Sequence, residues 1–115
     1  MTFDVEIVLR ERSFAVTERL EHSREPNAWT DQDVEAVLKD ILLAIDRVKN
    51  PGATDRFVAL RGFSWIVEPT TGGVVIAIEI PMGAAVAGPF DIGQAQLDAL
   101  ITRVLAAANP RPVVH

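Results

Sequence analysis

Residues 63–80 read FSWIVEPTTGGVVIAIEI, two alternating apolar runs around Thr-Thr-Gly-Gly, and few folds accommodate them. If Thr70 pairs with Gly73 across Thr71-Gly72, Val67 meets Ile76, Trp65 meets Ile78 and Phe63 meets Ile80. All of these side chains then share one face. A slip of one residue would set Phe63 against Glu79, so the pattern fixes the register of a hairpin. Gly72 and Gly73 suit the positive φ of a tight turn. A sheet face this apolar needs a covering layer. Trp65 is expected to be buried under that layer, and Trp29, at a helix start, partly exposed.

The cover is written into two other segments. Val34, Val37, Leu38, Ile41, Leu42, Ile45 and Val48 recur at helical spacing, with Leu43 on the opposite side. Thr30 is the expected N-cap, Asp33 its capping-box partner and Trp29 a hydrophobic staple; Asn50-Pro51-Gly52 ends the helix. A second helix is expected with Asp91 as cap, Gln94 as box partner and an apolar face of Leu97, Leu100, Ile101, Val104 and Leu105. At the start of the chain Phe3, Val5, Ile7 and Leu9 alternate with Asp4, Glu6 and Arg10, the pattern of a half-buried strand. Phe14-Ala15-Val16-Thr17 favours a second strand pairing with the first over a short helix capped by Ser13. Together these predict one α+β domain over residues 1–115. Its antiparallel sheet has three or four strands, with two amphipathic helices packed on one face. If Pro112-Val113-Val114 adds a strand, the arrangement becomes ferredoxin-like.

Composition narrows the function. The chain has no Cys, which removes disulfides, thiolate metal sites and Cys nucleophiles. Its net charge is −5, with the acids concentrated in the first half and no basic stripe, so nucleic acid is not an expected partner. No apolar run approaches the roughly 18 residues of a membrane span. Asp4 and Glu6 near the start do not fit a signal peptide. A soluble, cytoplasmic protein is the expectation.

Chemistry-bearing clusters are sparse. Asp31, Asp33 and Glu35 crowd one helix start, where acids complement the positive end of the helix dipole; they lack the oxygen run and turn glycine of a calcium loop. Glu18, His22 and Glu25 would stack only if their segment were helical, and His115 is terminal. No Gly-x-Ser-x-Gly elbow, dinucleotide fingerprint or Walker loop occurs. No catalytic residue, cofactor site or metal site is therefore assigned.

Residues 81–88, PMGAAVAG, are apolar and small where a connecting loop is ordinarily polar. Val75, Ala77, Met82, Ala84, Ala85 and Val86 are the expected interface, in a chain that is 49% hydrophobic. The function expected from this is a non-enzymatic module that forms a homodimer or binds a protein partner. The competing expectation is a small-molecule-binding protein or minor enzyme. Its pocket would lie between sheet and helices, floored by Trp65 and rimmed by Arg61 and Glu68.

Overall fold

A computed structural model describes residues 1–110. Pro112-Val113-Val114 and His115 lie outside the described residues. Strands β1 (Thr2–Leu9) and β2 (Ala15–Glu21) are followed by helix α1 (Asp31–Lys49). Strands β3 (Ser64–Thr70), β4 (Gly73–Ile80) and β5 (Gly83–Phe90) then lead into helix α2 (Gln94–Ala108). The class is α+β, as expected, but the sheet has five strands in the order β2-β1-β5-β4-β3. Every neighbouring pair is antiparallel. The succession of elements is not that of a ferredoxin-like domain, in which each half is a strand-helix-strand unit.

The extra strand is the segment of small residues. Gly83–Phe90 has weak intrinsic strand preference, yet it holds the middle of the sheet, laddered to β1 on one edge and β4 on the other. Small size is what its position demands. Ala85 and Ala87 point at the helices and are fully enclosed, and β5 is in contact with α1. At Gly88 the backbone takes φ +127, beside the register shift of the β4–β5 ladder between Val74 and Ile76. A side chain there would press on the Val74 carbonyl as well as strain the backbone, so the irregularity needs glycine.

The hairpin forms in the expected register, Thr70 opposite Gly73, Val67 opposite Ile76 and Trp65 opposite Ile78. Residues 15–21 form a strand against β1. The start of α1 is also as expected. The Asp33 N–H donates to Thr30 Oγ1 (3.4 Å) and the Thr30 N–H donates to Asp33 Oδ2 (2.8 Å), closing a capping box. The start of α2 is not. Phe90 is still paired with Val74 at the end of β5, so the chain needs further residues to leave the sheet. The helix begins at Gln94 with Gly93 as an N-cap lacking a side-chain bond. Asp91 caps nothing, and Gln94 Nε2 instead donates to the Val67 carbonyl (2.9 Å), tying α2 to β3.

The core lies between the helices and one sheet face. Val37, Leu38 and Ile41 from α1 and Leu97 and Ile101 from α2 are enclosed with Val5, Ile7, Ile76 and Ile78 beneath them. The two tryptophans exchange their expected roles. Trp29 is only 5% exposed. Its ring packs edge-on against Phe90 at 5.0 Å, Phe90 packs against Phe3 at 5.0 Å, and its indole N–H donates to the Arg24 carbonyl. Trp65 faces inward as its parity requires, but β3 is an edge strand and its ring is half-buried.

Trp29→Ala should therefore cost about 3–5 kcal/mol, the range for deleting an enclosed aromatic ring, and Trp65→Ala distinctly less. Urea unfolding of both variants checks this. Losses of equal size would contradict the difference in enclosure.

Candidate functional site

Alternation along the strands places the other half of the sheet residues on the face away from the helices. Three rows cross that face, read from β2 to β3. Ala15, Val8, Ala84, Glu79 and Ser64 form the first. Thr17, Glu6, Val86, Ala77 and Ile66 form the second. In the third, Arg19, Asp4 and Gly88 lie on one side of the register shift, and Glu68 pairs with Val75 on the other.

Among the described residues no helix covers this face. Val8 (44% exposed), Val86 (44%) and Ile66 (51%) stand out of it, where outward residues of a solvated sheet are ordinarily polar. Ala84 and Ala77 between them are short. A shallow depression of about 310 Å³ results, bounded by Ile66, Ala77, Glu79, Ala84 and Val86. The apolar residues run diagonally over β1, β5, β4 and β3, with carboxylates at their borders. Asp4 is paired with Arg19 (3.0 Å). Glu6, Glu68 and Glu79 form no ion pair among the described residues.

The expected interface residues separate accordingly. Val75, Ala77, Ala84 and Val86 lie on the open face. Ala85 does not, because strand alternation turns it into the core, where it is 2% exposed. Met82 sits in the β4–β5 turn at the end of the sheet, with the Lys49 ammonium against its sulfur. Val8 and Ile66 belong to the face and were detectable as apolar residues of the outward parity on otherwise regular strands. The expected pocket residues are not brought together. Trp65 lies on the helix side of β3, Glu68 on the open side, and Arg61 is exposed in the segment before the strand. Core side chains occupy the space between sheet and helices.

No known family, curated protein or solved structure matches this chain. The reading of the site rests on its own geometry.

The acids of α1 have structural partners. Asp31 meets Arg103 of α2 (3.0 Å) and Glu35 meets Lys39 (2.8 Å). Asp33 serves the cap, and its Oδ1 lies 3.0 Å from His22 Nε2, where it accepts from the ring N–H, and 3.7 Å from Arg24 Nε. The His22 ring stands edge-on to Trp29. Glu18 reaches Arg47 (2.9 Å), so the helical stack of Glu18, His22 and Glu25 does not form. Among the described residues no cluster of His, Asp and Glu is placed to hold a metal. The Thr30 backbone N–H, with smaller help from His22, the Thr30 hydroxyl and Arg24, holds the Asp33 carboxyl down at about 2.

A carboxyl depressed in the folded state stabilises the fold above its unfolded value of about 3.9 and loses that contribution as pH falls. For Asp33 the loss runs through about 2. Asp33→Asn should therefore lower stability at neutral pH and flatten the stability profile between about pH 4 and pH 2. Urea titrations across that range check it. A variant with an unchanged acid limb would remove Asp33 from this role.

Proposed function

We propose that this chain is a non-enzymatic docking module whose working surface is the open face of its sheet. The observation that carries the reading is the alignment of outward-facing apolar residues from separate strands, Val8, Val86, Ala77 and Ile66, into one stripe. Scattered single apolar residues are ordinary on a protein surface, whereas a contiguous apolar patch usually marks a contact. Among the described residues the side chains around this face form an apolar stripe and not a convergent polar constellation, which favours binding over catalysis. Self-association through the stripe and capture of another protein both fit the reading.

Val86→Lys and Ile66→Lys replace exposed side chains, and each should change stability by about 0.5 kcal/mol or less. Each should abolish association at the face. The measurements are mass by light scattering at about 100 μM, far above ordinary dimer constants, and quantitative recovery of co-purifying protein from the producing cells. Association indifferent to both substitutions would overturn the reading. A metabolite that raises the melting temperature in the wild type and in both variants would favour a small-molecule binder instead.

A further inference from the structure

We infer that the occupant of the open face is a basic amphipathic helix of another protein, with an apolar seam edged on both sides by Lys or Arg, and not a second copy of this chain. The inference rests on the docking reading above and adds the chemistry of the partner.

The arrangement of charge around the stripe favours such a helix. Glu6 lies beside Val86 on one side, and Glu79 lies beside Ala84 on the other. An approximate two-fold axis normal to the sheet, passing through β5 between Ala84 and Val86, relates them. It exchanges Val8 with Ala77, Ala15 with Ile66, Ser64 with Thr17 and Glu6 with Glu79. The acids are therefore on opposite flanks of one seam. Covering them with apolar surface alone would strip water from carboxylates that have no ion-pair partner among the described residues, which is strongly unfavourable. A cover with cations along both flanks resolves this, and a helix with Lys or Arg either side of an apolar seam has that pattern.

The size of the stripe fits a short helix as well. From β1 to β3 the stripe crosses three strand spacings, with an offset of two residues along the strands. At about 4.8 Å per spacing and 3.3 Å per residue it is roughly 16 Å long, or about three turns of helix. The small side chains of Ala77 and Ala84 leave the depression into which a seam residue fits.

A second copy matches poorly. Its open face repeats Glu6 and Glu79, so two copies face to face would gather four carboxylates in one apolar layer, within a chain of net charge −5. Its helices offer no basic seam: the outward residues of α1 include Asp31, Gln32 and Glu35, and Arg103 of α2 is engaged with Asp31. The sheet edges also discourage strand addition. The β2 edge carries Glu18, Arg19 and Glu21, and the β3 edge contains Pro69.

The test is selection from a displayed library of 16-residue helical peptides against the wild-type protein, with counter-selection on Val86→Lys. Enriched peptides should carry an apolar i, i+3, i+4, i+7 seam with flanking Lys or Arg. The best peptide, synthesised and labelled, should bind at least tenfold more weakly to Glu6→Lys/Glu79→Lys and to Ile66→Lys, and more weakly as salt rises. Melting temperatures near wild type for all variants exclude misfolding as the cause. Neutral or acidic peptides that need Val86 and Ile66 but ignore the charge reversal would overturn the basic partner while upholding the docking face. So would a dimer lost in Val86→Lys and unaffected by peptide. A library that yields no binder, or only binders indifferent to Val86 and Ile66, would overturn the inference; if the variants also leave association unchanged, the docking reading falls with it.

Discussion

One five-stranded sheet exists because β5, which turns back from β4, also pairs with β1. The β2-β1 pair and the β4-β3 pair each ladder to an edge of β5, and both unions depend on a strand that no local preference compels. Its Asp4–Gly88 pairing closes most of the chain into one loop. That closure is costly in chain entropy, and the two ladders of β5 together with the burial of Ala85 and Ala87 offset it. The sheet and the helical layer meet there: the helices need a continuous floor, and β5, laddered on both edges, completes it.

The same strand divides the molecule into two chemically different sides. On the covered side the residues are tightly enclosed, from Val5 and Ile7 through Ile76 and Ile78. On the other side, apolar groups are in water with carboxylates between them. Charged groups elsewhere are largely absorbed by architecture. Asp33 organises the start of α1, Asp46 holds Arg56 of the following segment (2.7 Å), and Asp31 links the helices. What the molecule leaves unengaged is a surface, and that is why its function is read as recognition.

Elements with strong local rules were readable from sequence. The β3–β4 register followed from parity alone, and the α1 cap from Thr30 and Asp33. Three features depended on long-range context. Gly-Ala-Ala-Val-Ala-Gly is a strand because neighbours on both edges make it one, so its composition pointed elsewhere. Trp65 had the right parity, but enclosure also depends on whether a strand is central, which parity does not encode. Asp91 had the right spacing for a cap, but the ladder reaching Phe90 delays the helix. On the open face, Val75 and Ala77 follow from the parity of β4, whereas Ala84 and Val86 face outward only because their segment is a strand. Val8 and Ile66 show their meaning only when strand order brings them into one stripe.

The alternation of β5 has a consequence for substitution. Ala84 and Val86 face outward while Ala85 and Ala87 face the core, so neighbouring positions carry different physical constraints. A change at the outward pair alters the chemistry of the open face with little effect on folding, whereas the inward pair is held by packing. Surface chemistry and foldability are therefore separable along four adjacent residues.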